Sequence, residues 1–223
     1  MQKSSVLNVL GCWPERMNIL FELAYDTKGI NSFNVLKNMA VEIDEYYNSN
    51  NKWDVNVYNC YEIKNTFNPD EYYAFLVNGT KSKEIVFNYF KELIKMENEQ
   101  FINLIHPSSV VSKSVNLNYG MQVEPLCSIS TLTSFGFGVI IKSRCNIDHH
   151  CNIGNFVTIN PGVVVSGFVD IGKNTLIGSG TVIKDNIKIG ENTIIGSGSN
   201  VVRDIPDNVV AYGNPCRVHR IND

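Results

Sequence analysis

Two adjacent histidines, His149 and His150, stand in the run Ile147-Asp148-His149-His150-Cys151-Asn152. An imidazole with an unperturbed pKa of about 6.5 is largely neutral near physiological pH and can take a proton from a reacting amine or hydroxyl. A positioned base of this kind typically contributes about 10²–10⁴-fold in rate. Metal chemistry is the other use of histidine, but a zinc site needs separated ligands that converge. Neighbours in sequence point in different directions, so the pair predicts no metal site. A second candidate is Gly11-Cys12-Trp13-Pro14, which lies where a strand meets a helix, the place where α/β folds bind phosphates. It lacks the G-x-G-x-x-G spacing, and an ordinary tight turn reads the same way.

The histidines sit inside a repeat. Every sixth position from Leu117 to Val201 holds Leu, Val, Ile or Phe without exception, and Val111 extends the series backward. Four residues after each stands a small or β-branched side chain, such as Cys145, Cys151, Val157, Thr175 or Thr193. A period of six fits neither the 3.6 of a helix nor the 2 of a flat strand. It fits short strands that turn a corner every six residues, each side placing one large side chain in a shared core. Three sides make a coil, successive coils pair as parallel strands about 4.8 Å apart, and roughly five coils give a prism about 25 Å long. Glycine directly after the large residue, as at Gly154, Gly172, Gly178, Gly190 and Gly196, is expected to supply positive φ at the corners. Ile147 and Cys151 then point inward, and His149 and His150 lie at a corner or on the outer surface. Cys127, Cys145 and Cys151 share the small inward slot and read as core residues.

The segment before the repeat is patterned differently. Val6 to Leu10 reads as a buried strand, residues 15–27 as an amphipathic helix, Phe33–Leu36, Val55–Tyr61 and Tyr72–Val77 as strands, and 81–96 as a second amphipathic helix. This order predicts a small α/β domain with a parallel sheet over residues 1–105. A β-helical domain with a C-terminal tail follows over 106–223. The stretch 37–56 has no pattern that assigns it a role.

Composition narrows the function classes. A net charge of -3, with 43% hydrophobic and 18% charged residues, gives no reason to expect nucleic acid or an anionic membrane as partner. The first twenty residues form neither a signal-peptide core nor a membrane span. Six cysteines without a paired framework point to a reducing compartment, the cytoplasm.

With both halves in view, the chain resembles the bacterial sugar acetyltransferases of the NeuD and PglD type, which are left-handed parallel β-helices built of hexapeptide repeats. The likeness is carried by Leu104-Ile105-His106-Pro107-Ser108, Ile147-Asp148-His149-His150-Cys151-Asn152-Ile153-Gly154, Ile159-Asn160-Pro161-Gly162, Val165-Ser166-Gly167 and Gly213-Asn214-Pro215-Cys216-Arg217-Val218. Over residues 1–100 it is one of architecture only. The resemblance implies a homotrimer with active sites between neighbouring prisms, acetyl-CoA along the groove between them, and an N-terminal domain that holds the nucleotide of a nucleotide-linked amino sugar. It implies His149 as general base and Gly167 as an oxyanion donor. It places Thr158, Ser166, Asn214 and Arg217 toward the acetyl donor, and Gly11, Cys12, Trp13 and Asp148 toward the acceptor. Two departures stand out. Relatives commonly carry an acid at position 150, where this chain has His150, so Asp148 or the second histidine is left to support the base. PglD-like proteins carry histidine where this chain has Thr158, which can donate a hydrogen bond but cannot relay a proton as imidazole does. His106 and His219 read as a junction and a surface residue. The leading expectation is N-acetylation of a nucleotide-linked amino-deoxysugar for surface glycans. O-acetylation of sialic acid or another sugar and a non-catalytic prism are the alternatives.

Overall fold

The computed structural model describes residues 6–11, 14–37, 52–59, 72–77, 79 and 81–223. The N-terminal domain is built on four strands, β1 (Val6–Leu10), β2 (Ser32–Lys37), β3 (Asp54–Asn59) and β4 (Tyr72–Phe75), with helices α1 (Pro14–Lys28) and α2 (Ser82–Ile94). The sheet order is β3-β2-β1-β4 and every pairing is parallel. A parallel sheet must be covered on both faces. Met17, Leu20, Phe21 and Ala24 of α1 pack with Leu7, Val9, Phe33 and Val35 on one side. Val86, Phe87 and Phe90 of α2 pack with Leu10, Leu36 and Phe75 on the other. The chain reverses direction across the sheet between β1 and β4, so the crevice at their carboxyl ends, beside Gly11, is the switch point where such sheets bind ligands. Cys12 and Trp13 lie outside the described residues, as does most of the stretch 37–56.

From Leu104 onward the chain winds a three-sided prism. Registers advance by one coil at each step, from Leu104 to Gln122, Ile140, Thr158, Leu176 and Ile194 on one face. The second face stacks Val110, Ser128, Asn146, Val164, Val182 and Asn200, and the third stacks Ser134, Asn152, Asp170 and Lys188. The prism therefore starts with Leu104–Ile105 and is longer than the five coils read from Leu117. The large residues of the repeat, among them Ile141, Ile147, Ile153, Ile159, Ile177 and Ile195, fill a single core. At the far end Val209–Tyr212 adds to the first face and Arg217–Ile221 returns antiparallel against it, closing the prism.

Two features of the repeat differ from the sequence expectation. Positive φ falls three residues after the large side chain, at His150, Phe156, Gly162, Phe168, Gly180 and Gly198, not on the glycines directly behind it. Those glycines answer a different need, which is lack of room. A Cβ on Gly172 would lie 2.5 Å from the backbone nitrogen of Glu191, and one on Gly178 would lie 2.4 Å from that of Ser197. The small inward slot, in turn, carries hydrogen-bond donors. Thr133, Thr175 and Thr181 hydroxyls donate to the carbonyls of Asp148, Gly190 and Gly196, and the Cys127, Cys145 and Cys151 thiols lie 3.1–3.2 Å from those of Lys142, Asn160 and Ser166. Each bond joins a side chain to a carbonyl half a side short of a full coil ahead, where no β ladder reaches it.

The two domains share an apolar seam. Phe75, Phe87 and Phe101 interlock with Phe137 and Phe156 of the prism, with Phe75 stacked on Phe101 at 4.6 Å and Phe87 4.9 Å from Phe137. Lys83, at the start of α2, is fully buried there and its Nζ donates to the carbonyls of Gly138 (3.1 Å) and Val157 (2.9 Å). Next to it, Asn174 donates to the Glu84 carboxylate. Burial, with the Lys142 cation as the lesser cause, pushes the Lys83 ammonium well below the usual lysine range. Because the unfolded chain holds that proton up to about pH 10.4, stability is expected to rise with pH until the unfolded lysine also titrates. Lys83→Ala strands two buried carbonyls and opens a cavity, with an expected loss of about 2–4 kcal/mol. Urea unfolding of the two proteins, each taken across a pH series, measures both effects.

Candidate active site

His149 and His150 follow a strand of the second face and sit at the corner that leads to the third. Ile147 anchors the strand in the core, and the main-chain N–H of Asp148 donates to Val165 one coil on. His150 takes φ +56°, a conformation that histidine adopts more readily than most side chains, and its N–H donates to the Thr131 carbonyl at 3.1 Å. The corner thus turns both imidazoles outward, with His149 half-buried and His150 exposed.

Gly167, one coil ahead, forms the floor under His149. A Cβ built there would lie 2.7 Å from Cε1, 3.1 Å from Nε2 and 3.2 Å from Nδ1 of the ring. Glycine is therefore what allows the imidazole to lie against the main chain. Phe168 follows it with φ +58°. Its N–H donates to the His149 carbonyl at 3.0 Å, and its ring stacks on His150 at 4.8 Å and 20° and meets His149 edge-on at 5.2 Å. Phe168 is absent from the sequence-based candidates. It falls one full coil after His150, so only the closed coil length brings the two side by side.

The two imidazoles face one another through their Nδ1 atoms, 3.0 Å apart. Asp148 does not support the His149 ring as the sequence alone allows; its Oδ1 accepts the main-chain N–H of His149 at 2.8 Å. Cys151, two residues from the base, is buried, and its thiol lies 3.2 Å from the Ser166 carbonyl. Burial also raises its pKa. A protonated inward thiol is a poor nucleophile, so the corner offers proton transfer without a covalent carrier beside it.

The remaining candidates fall in three places. Ser166 adjoins the floor glycine and is partly exposed. Asn214 and Arg217 lie in the closing tail, where Asn214 accepts from Asn200 at 3.2 Å and Arg217 donates to the Cys216 carbonyl at 3.2 Å. Asn200 is on the same face as Asn146, three coils further along, a rise of roughly 14 Å. Thr158 is not gathered into the His149 corner. Nine residues are half a coil, so Thr158 belongs to the face beneath the N-terminal domain, where it is 2% exposed and its Oγ1 has no hydrogen-bond partner among the described residues. There it lines a small cavity of about 20 Å³ with Arg16, Gln122, Glu124, Lys142, Leu76 and Val77. Arg16 pairs with the buried Glu124 carboxylate, which also accepts from the Ser143 N–H and hydroxyl.

Gly11 lies against Val77 and Leu76, two of the residues that line that cavity. It has φ +96°, donates to the Leu36 carbonyl at 3.0 Å, and would carry a Cβ 2.5 Å from Val77 Cγ2. His106 does sit at the junction, with Nε2 3.3 Å from Asp26 of α1 and Nδ1 2.8 Å from the Ser108 hydroxyl. His219 stacks on Tyr212 at the exposed end of the tail. Among the described residues no group of three or more metal-ligating side chains converges, and no helix is long and apolar enough to cross a membrane.

The family profile described as bacterial transferase hexapeptide (six repeats) matches residues 168–203. No significant match is found among curated proteins. Among solved structures, the acetyltransferase domain of PglB from Neisseria gonorrhoeae is 24% identical with a TM-score of 0.82, covering 97% of this chain and 100% of that one. The same domain has been solved with acetyl coenzyme A. PerB from Caulobacter crescentus, in complex with CoA and GDP-perosamine, is 22% identical with a TM-score of 0.78 and 97% of each chain covered. WeeI from Acinetobacter baumannii is 19% identical with a TM-score of 0.77, covering 96% and 99%. The fold is thus shared along the whole chain: a small parallel-sheet domain followed by a left-handed parallel β-helix of hexapeptide repeats.

Proposed function

We propose that the protein is an acetyl-CoA-dependent N-acetyltransferase acting on the amino group of a nucleotide-linked amino-deoxysugar, in the cytoplasmic assembly of a surface glycan. The observation that carries this reading is the His149 imidazole, laid against the main chain of Gly167 at an outward corner of the prism. The fold that holds it is shared over the full chain with the PglB acetyltransferase domain and with PerB, which are seen with acetyl-CoA, CoA and GDP-perosamine.

The chemistry follows from what the residues offer. The acceptor amine attacks the thioester carbonyl, a C–N bond forms and the C–S bond breaks, and CoA departs as the thiolate. His149 takes the amine proton at Nε2 and returns it to the thiolate. The main-chain N–H of Gly167 serves the oxyanion. The donor runs along the second face from Ser166 and Gly167 to the tail, a span of about three coils, where Asn214 and Arg217 meet its phosphate end.

The acceptor site is divided between copies. Within one chain the Gly11 crevice lies on a different face from His149. The His149 face is lined by exposed apolar side chains, Val110, Val164 and Val182, with Leu126 and Leu132 at its corners. Threefold association through that face covers them and sets the Gly11 crevice of one copy beside His149 of the next. Asp148 completes the acceptor side.

The test is release of free CoA thiol from acetyl-CoA with UDP-, dTDP- and GDP-linked 3- and 4-amino sugars and with free sialic acid, alongside a sedimentation measurement of mass. The expected result is a trimer that turns over one of the nucleotide amino sugars rapidly. Turnover with sialic acid alone would transfer the reading to O-acetylation. Absence of any CoA binding would leave a scaffold.

A further inference from the structure

His150 stands beside the His149 ring at the same corner of the prism. Its Nδ1 is 3.0 Å from the Nδ1 of His149. Two imidazole nitrogens at that distance share one proton: one must carry N–H and the other a lone pair, since two donors or two acceptors would repel. The tautomers of the two rings are therefore linked. If Nε2 of His149 is to accept a proton from the acceptor amine, the single proton of the neutral ring resides on Nδ1. His150 must then accept that N–H on its own Nδ1 and carry its proton on Nε2.

The His150 ring is held for this. Its φ of +56° and the N–H bond to Thr131 fix the corner. Its face lies on Phe168 at 4.8 Å and 20°, with the Nδ1 edge directed to His149. Phe168 is in turn bonded through its N–H to the carbonyl of His149. Asp148, the neighbouring acid, directs Oδ1 to the main chain.

We propose that His150 is a positioning residue, held by Phe168, that fixes the Nδ1–H tautomer of His149 by offering a neutral nitrogen lone pair. The proposal rests on the reading of His149 as the base. When the C–N bond forms, the amine proton goes to Nε2 of His149 and the positive charge is shared along Nδ1–H···Nδ1. When the C–S bond breaks, the Nε2 proton passes to the thiolate and both rings regain their starting tautomers. No other proton donor or acceptor is required.

Two measurements test this. Long-range proton–nitrogen NMR of the full chain labelled in histidine reads the tautomers directly. The expected pattern is N–H at Nδ1 of His149 and at Nε2 of His150, and the reverse pattern overturns the proposal. The second is kinetic. His150→Phe keeps a ring to stack on Phe168 but removes the acceptor, and loss of the hydrogen-bond partner costs about 10–100-fold behind a metal-ligating histidine, the scale expected here. That loss is expected in kcat, with KM for both substrates nearly unchanged and the thermal unfolding midpoint retained. His150→Gln or His150→Glu, which restore an acceptor oxygen, are expected to recover most of it. Full activity in His150→Phe, or equal losses in the Phe, Gln and Glu variants, overturns the role. A fully active His149→Ala would instead remove the base itself, whereas reversed tautomers with an inactive His149→Ala would remove only His150.

Discussion

His149→Ala is expected to lower kcat by about 10²–10⁴-fold, the usual contribution of a positioned proton acceptor, while leaving the fold intact. The ring lies outside the core that Ile147 and Cys151 anchor, and its removal leaves the main-chain bonds of the corner in place. The loss should fall on kcat more than on KM, because a base acts in the transition state and contributes little to ground-state binding. Steady-state kinetics with the nucleotide amino sugar, together with CoA affinity by calorimetry, separate the two. Unchanged CoA affinity and lost turnover are the expected pair.

Gly167→Ala is the second large effect. The added methyl carbon would lie 2.7 Å from Cε1 of His149 and 3.1 Å from its Nε2, both inside ordinary contact. The ring must swing outward, and displacement of a reacting group by about 1 Å can cost 10²-fold in rate. Swinging also breaks its approach to Nδ1 of His150. Because φ at Gly167 is not in the left-handed region, alanine brings no backbone strain, and stability is expected to stay within about 1 kcal/mol. The diagnostic is a loss of kcat near 10²-fold at an unchanged unfolding midpoint. Equal activity would show that the His149 ring has room to spare and that the Gly167 floor does not hold it.

These predictions depend on features that differ in how legible they are in sequence. The prism was readable because each side of each coil must bury one large side chain, which leaves an unbroken period of six from Leu117 to Val201. The outward placement of His149 follows from the same count. What needs the closed coil was not readable. Phe168 reaches His150 only because a full coil returns the chain to the same corner. Thr158 leaves the His149 corner because nine residues end on another side. The glycines behind the large residues looked like conformational hinges, whereas their constraint is the main chain of the next coil. In the N-terminal domain, alternation and helical spacing placed β1, α1, β4 and α2 within a few residues. Lys83, by contrast, sits in the first turn of a helix, where a lysine ordinarily points to water, and only the docked prism supplies the two carbonyls that bury it.

Every role proposed at the His149 corner depends on direct transfer of an acetyl group to a sugar amine. The most direct measurement is mass spectrometry of both protein and acceptor after one turnover with acetyl-CoA and the nucleotide amino sugar. Direct transfer predicts one acetyl group on the sugar nitrogen, a protein of unchanged mass, and transfer slowed by about 10²–10⁴-fold in His149→Ala. An acetyl group trapped on the protein, or an acetylated sugar formed at full rate without His149, would contradict it.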